Sequence, residues 1–101
     1  MFKNMDQILK QAQAMQEKFK QELEEITVEG SSGGGMVTVQ MTGHKVVTSV
    51  KIDPEVVDRN DVEMLQDLIT AAVNETSRKV DEETQRRLGS MAGGIKIPGL
   101  L

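Results

Sequence analysis

The chain has 101 residues, 38% of them hydrophobic, and a net charge of −4 at pH 7. This length suggests one domain over residues 1–101, and the absence of cysteine excludes disulfides, cysteine zinc sites and thiol nucleophiles. No apolar run approaches the ~20 residues of a membrane span, and the N-terminus lacks the apolar stretch of a secretory signal. We therefore expect a soluble cytoplasmic protein without a membrane partner.

A long helix is predicted over residues 2–26. No Pro or Gly interrupts this segment, and Gln, Lys, Glu and Ala fill its polar side. Apolar residues recur in it at alternating three- and four-residue spacing, which is typical of an amphipathic helix. They are Met5, Ile8, Ala12, Met15, Phe19 and Ile26.

A three-stranded antiparallel β-meander is predicted over residues 27–52. The first strand covers 27–31, and SSGGG at 31–35 is a turn. Gly43 and His44 fit a two-residue type II′ hairpin loop, which needs positive φ at Gly43. This loop pairs Met41 with Val46, Val39 with Thr48 and Val37 with Val50, all on one face.

A second long helix is predicted over residues 61–88. Asn60 fits its N-cap, with Glu63 completing a capping-box-like pair, and Gly89 is the predicted stop. Before it, Asp53-Pro54-Glu55 predicts a short helical turn. The predicted fold is therefore α+β in the order helix 1–26, meander 27–52, short turn 53–59, helix 61–88 and tail 89–101.

The two helices are too long for a domain of this size. At 1.5 Å per residue they would span roughly 37 and 42 Å, whereas a compact 100-residue domain has a radius of gyration of only ~13 Å. A small sheet from one chain cannot enclose both. We therefore expect the helices to pack against a second copy of the chain or to project from the body.

Positive charge is concentrated at the two ends of the chain. Residues 1–20 hold four bases and two acids, residues 21–75 hold three bases and eleven acids, and residues 76–101 hold five bases and three acids. If the helices pack antiparallel, both positive segments meet at one distal tip. Bases so placed would present positive charge to an external anion. The candidates are Lys3, Lys10, Lys18, Lys20, Arg78, Lys79, Arg86 and Arg87.

A second interpretation of these bases is a solvated helix face. Four acid–base pairs have i,i+4 spacing with the acid first, which is the stabilising order on a helix. They are Asp6–Lys10, Glu75–Lys79, Glu82–Arg86 and Glu83–Arg87.

The sequence offers no reaction centre. The one histidine, His44, is expected in a turn, and no metal-binding or nucleophile motif is present. The glycines at 33–35 lead into a strand, so they lack the phosphate-cradling geometry of a helix N-terminus. We therefore expect no enzyme activity, metal, cofactor or small-molecule substrate. The absence of aromatic platforms also disfavours binding of unpaired bases.

The run GGGMVTVQMTGHKVVTSVKIDPEVV, followed by DVEMLQDLITAAVNETSRKVDEET, closely resembles the YbaB/EbfC family of bacterial nucleoid-associated proteins. The resemblance extends from MDQILKQAQAMQEKF to GGIKIPGLL, which is essentially the whole chain. It implies a homodimer with joined sheets and projecting helical arms. It also implies binding to double-stranded DNA with low sequence selectivity, and a role in nucleoid organisation or gene regulation. It supplies no residue-level DNA motif, so the candidate bases follow from charge position alone.

A protein-interaction adaptor is the alternative function. The apolar seam of the first helix contains Met5 and Met15, and methionine adapts to varied partners. The tail adds Ile95, Ile97, Leu100 and Leu101.

Overall fold

The computed structural model describes residues 2–91, and the expected tail beyond them lies outside the described part. The predicted α+β fold is confirmed. Helix α1 is followed by three strands and helix α2, with short 3-10 turns after β1 and after β3. Their bounds are α1 Phe2–Glu25, β1 Thr27–Ser32, turn Gly33–Gly35, β2 Val37–Thr42, β3 Val47–Ile52, turn Pro54–Val56 and α2 Val62–Met91.

The strands form an antiparallel sheet in the order β1-β2-β3. The predicted hairpin register is wrong on β3, by two residues at Val37 and Val39 and by one residue at Met41. Val39 lies opposite Val50 instead of Thr48, and Val37 lies opposite Ile52 instead of Val50. The pairing shifts between Gln40 and Met41, so that Met41 lies opposite Val47.

One residue of the difference arises because the hairpin loop has three residues and not two, and the second arises from the irregularity between Gln40 and Met41. The Lys45 amide donates to the Thr42 carbonyl (2.9 Å), and the Thr42 amide donates to the Val46 carbonyl (3.0 Å). Lys45 has φ of 62°, the left-handed conformation that closes three-residue loops. A non-glycine residue in this conformation is uncommon, and the sequence pattern does not indicate it.

Gly43 is required for close packing and not for a positive φ. Positive φ among the described glycines occurs at Gly33, Gly34 and Gly35. A Cβ atom on Gly43 would lie 2.3 Å from the Leu23 carbonyl oxygen. The Gly43 amide also donates to the Ile26 carbonyl (3.2 Å). The hairpin loop therefore sits directly against the C-terminal end of α1.

Helix α2 covers β1 and β2 but leaves β3 open. Val37, Val39 and Ala72 are fully buried between helix and sheet, and Thr76 is buried beside them. The side chains of β3 that face the same side remain exposed. We call these three residues, Val47, Val50 and Ile52, the open β3 face.

The ends of α2 differ from the prediction. Asp61, not Asn60, caps the helix, because its carboxylate accepts the Met64 amide (3.2 Å). The helix also continues through Gly89 to Met91. The short turn before it is confirmed, since the Asp53 carboxylate accepts the Glu55 amide (2.9 Å).

Helix α1 projects from the body. Residues 4–18 are all exposed, and we call this segment the α1 arm. The structure measures 71 × 22 × 16 Å with a radius of gyration of 19.3 Å, well above the ~13 Å of a compact domain of this size. Neither helix within residues 2–91 has the length and hydropathy to cross a membrane.

Candidate nucleic-acid interface

The α1 arm carries cations with no local partner. Lys10 and Lys18 lie in the arm, and Lys20 is the next exposed base along the helix. Among the described residues, none of these three ammonium groups has a carboxylate within 4 Å. Lys3 belongs to the first turn of the same helix. Lys10, Lys18 and Lys20 are therefore available to an external anion.

The bases of α2 are engaged within the chain. Arg78 pairs with Glu75 (2.7 Å) and with Glu82. Lys79 donates to the Glu29 carbonyl of β1 (3.0 Å). Arg78 and Lys79 are both candidate phosphate contacts, and here their charged groups already have partners within the chain.

The predicted solvated-face pairs are partly right. Glu83–Arg87 is present at 3.1 Å. Glu75 and Glu82 instead both pair with Arg78, because one guanidinium offers donors to both neighbouring turns. Lys10 shows no pair with Asp6 among the described residues, and Arg86 turns back to Glu83.

Arg87 joins the two helices. Its Nη1 lies 2.8 Å from Glu22 Oε2 and 3.7 Å from Glu25 Oε2, and both acids belong to the end of α1. Its Nε donates to Glu83 Oε1 at 3.1 Å. The Arg87 side chain is only 28% exposed. We call Arg87 with these three carboxylates the Arg87 clamp.

Guanidinium groups hold the acids of α2 in their charged form. The hydrogen bond from Arg86, and then the one from Arg87, lowers the pKa of Glu83 to about 2. The hydrogen bond from Arg78 likewise lowers the pKa of Glu75. The pKa of Arg87 is raised by its hydrogen bonds to Glu83 and Glu22. These pairs are on the surface, so salt weakens them.

The two positive segments meet only in part within the chain, because Arg87 contacts Glu22 within about one helical turn of Lys18 and Lys20, whereas Lys10 lies farther out. The ends of α1 and α2 meet at the Arg87 clamp, and the α1 arm extends away from that point. Lys10 lies twelve residues before Glu22, which is ~18 Å along the helix. The candidate bases therefore lie along one elongated path.

The arm also exposes its apolar side. Met5, Ile8, Leu9 and Met15 are each at least half exposed. Unpartnered apolar side chains on a helix indicate a surface that another element can cover. No group of three or more metal-ligating residues occurs in the part of the chain that the structure describes.

The chain therefore has an α+β fold from which a lysine-bearing helix, the α1 arm, projects. The chain belongs to the YbaB/EbfC DNA-binding family, whose model matches residues 1–95. The YbaB/EbfC resemblance noted in the sequence is thereby confirmed.

Named relatives agree with this membership. A nucleoid-associated protein of Alkaliphilus metalliredigens is 53% identical over 96% of this chain and 88% of its own length. Another, of Acetivibrio thermocellus, is 54% identical over 96% and 89%. The fold is also similar to the crystal structure of an uncharacterised Helicobacter pylori protein, with a TM-score of 0.76 and 22% identity, over 92% of this chain and 98% of that one.

Proposed function

We propose that this chain forms a homodimeric nucleoid-associated protein that binds double-stranded DNA with low sequence selectivity. It acts in the cytoplasm, at the nucleoid, and contributes to nucleoid organisation or gene regulation, with no catalytic role. The observation that carries the proposal is the α1 arm, an exposed helix whose lysines have no carboxylate partner among the described residues. Family membership and the names of the relatives support it.

The open β3 face supports a dimer. Strand β3 is the edge of the sheet, so one side of its backbone has no strand partner in the chain. An exposed apolar edge strand is a template for pairing with another chain. Val50 and Ile52 are 45% and 36% exposed although they share a face with buried Val39 and Val37. A second copy would bury them.

Such a dimer would place its arms on either side of a gap. Pairing at β3 gives the order β1-β2-β3-β3-β2-β1, with β1 of each chain outermost. Six strands at ~4.8 Å spacing separate the outer two by about 24 Å. Since each α1 leads directly into its β1, the arms project from opposite sides. This separation is on the scale of a DNA duplex.

The chemistry of the arm suits phosphate contact. A lysine ammonium is a strongly hydrated point charge that attracts phosphate without a fixed geometry. Contacts to the phosphate backbone position a protein on the duplex but carry no sequence information. Low selectivity follows from this, as does a steep loss of affinity with salt.

The test compares two double variants of equal charge. Lys10→Gln/Lys18→Gln removes arm cations, and Lys45→Gln/Arg59→Gln removes exposed cations of the body that lie outside β3. Duplex affinity is measured by fluorescence anisotropy between about 50 and 200 mM salt. We expect the arm variant to bind more weakly and with a shallower salt slope, by about 0.9 for each phosphate that is no longer neutralised. Equal effects of both variants, or binding that does not respond to salt, would contradict the proposed arm contact.

A protein-interaction adaptor is a second candidate function, favoured by the exposed apolar side of the α1 arm. Met5 and Met15 could adapt to the surface of a partner protein. Recovery of partner proteins after nuclease treatment, together with no duplex binding by the purified protein, would favour the adaptor over DNA binding.

A further inference from the structure

We infer that Arg87 is a positioning residue that sets the direction of the α1 arm, and is not a phosphate contact. The inference rests on the proposed function only where its test measures binding to DNA. Its structural part concerns the free protein.

The contacts of Arg87 span the two helices. Glu22 is 65 residues away in sequence, yet its Oε2 accepts a hydrogen bond from Arg87 Nη1 at 2.8 Å. Glu25 lies on the same side at 3.7 Å. Glu83 holds the other edge of the guanidinium from within α2. A planar guanidinium held on two edges has little freedom to move.

The other contacts of α1 with the body lie in its last two turns, where Phe19 and Leu23 are half-buried. Ile26 separates α1 from β1, and it is buried. Its carbonyl accepts the Gly43 amide, and Leu23 packs against Gly43. These contacts fix where α1 ends. Its direction depends on a lateral contact, and the Arg87 clamp is an ion-pair contact of that kind.

A small change at the clamp is amplified along the arm. Lys10 lies ~18 Å from Glu22 along the helix axis. A tilt of about 10° at the clamp would therefore move Lys10 by roughly 3 Å, given that length. This is as large as the distance over which a charged hydrogen bond forms. Correct placement of the arm lysines thus depends on the clamp.

The surroundings of Arg87 disfavour a phosphate. Three carboxylates lie within 4 Å of its guanidinium, and the neighbouring cation, Arg86, is itself paired with Glu83. A phosphate approaching Arg87 would meet the negative charge of Glu22 and Glu25. The two roles of Arg87 predict opposite changes in DNA affinity when Glu22 is neutralised. Neutralising Glu22 should strengthen DNA binding if Arg87 holds phosphate, and weaken it if Arg87 holds the arm.

The direct test measures the arm in the free protein. The chain has no cysteine, so spin labels at Gln13→Cys in the arm and Gln66→Cys in α2 report one distance. Dilution with unlabelled protein leaves one labelled copy per dimer. We expect Arg87→Gln and Glu22→Gln each to broaden or shift the distance distribution. The charge swap Arg87→Glu/Glu22→Arg should restore it in part, because it re-forms the contact between positions 22 and 87 at unchanged net charge while position 87 loses its pair with Glu83.

Arg78→Gln is the matched control. It removes one charge from ion pairs that stay within α2, so it should leave the distance unchanged. Helicity and thermal unfolding of each variant check that it folds. If Arg87→Gln does not fold, Glu25→Gln, which removes only the more distant acid, provides a milder change in the same direction.

Duplex binding adds the functional readout. We expect Glu22→Gln to lose affinity although it makes the protein less negative. Unchanged distance distributions for Arg87→Gln and Glu22→Gln would overturn the inference, as would a gain of affinity in Glu22→Gln. Failure of the wild-type protein to bind any duplex would instead contradict the proposed function, and the distances would still decide the role of Arg87.

Discussion

Gly30 in β1 lies directly against Thr76 in α2. A Cβ atom on Gly30 would lie 2.4 Å from Thr76 Oγ1 and 2.8 Å from the Thr76 amide nitrogen. Thr76 is fully buried there, and its hydroxyl donates to the Ala72 carbonyl at 2.7 Å. The helix therefore rests on the strand as closely as two backbones allow.

Gly30→Ala should destabilise the fold. The added methyl group meets backbone atoms of α2, which can move away only by shifting the whole helix. We expect a loss of about 1–3 kcal/mol in the free energy of unfolding, the range for overpacked sites. Urea unfolding measures it. The exposed neighbour Ser31→Ala is the control and should change stability little. A stable Gly30→Ala protein would show that the helix and strand are not in close contact.

Gly89→Ala should stabilise the protein. Gly89 lies inside α2, and nothing lies within 4 Å of the position its Cβ would occupy. Alanine has a higher helix propensity than glycine by up to ~1 kcal/mol, and it also restricts the unfolded chain. Thermal or urea unfolding would show the gain. A loss of stability would place a helix end at Gly89, as the sequence pattern suggested.

Val50→Lys should separate the proposed dimer. Val50 belongs to the open β3 face, and a lysine there would place an unpaired charge in the interface. We expect the mass measured by light scattering to fall toward that of one chain. Ser49→Lys adds the same charge on the opposite face of β3 and should not change the mass. Equal masses for Val50→Lys and the wild type would place the dimer interface elsewhere.

The ion pairs at the end of α2 should make stability depend on pH. The pKa of Glu83 is about 2 in the folded chain against an ordinary value of 4.5. Ionised Glu83 therefore favours the folded state fully above about pH 4.5, and this contribution is lost as pH falls toward 2. The difference in unfolding free energy between wild type and Glu83→Gln should shrink across that interval. A difference that stays constant from pH 7 to pH 2 would contradict the pairing.

Local patterns predicted the elements of the fold, because apolar spacing and turn residues act over a few positions. They failed at the hairpin register, since Lys45, a non-glycine residue, adopts a positive φ in a three-residue loop and the pairing shifts again between Gln40 and Met41. They also gave Gly43 the wrong role. The close approach of Leu23 comes from a helix twenty residues away in sequence, and no local turn rule contains it.

The sequence predicted where the positive charge of the candidate site is concentrated, but not which residues form ion pairs there. Segregation of bases at the chain ends is visible in the sequence. The pairing of Arg87 with Glu22 joins positions 65 residues apart, so it appears only once the two helices are placed. Arg78 likewise bridges two acids that spacing rules assigned to other bases.

Because α1 is attached to the body through its last turns alone, a change in its length would rotate its outer part. One residue inserted after Lys20 would advance everything upstream by about 1.5 Å and turn it by about 100° around the helix axis. The lysines would then face a different direction around the helix axis, while the sheet and α2 kept their structure. Exchanges of side chains should therefore be tolerated along this helix far more readily than changes in its length.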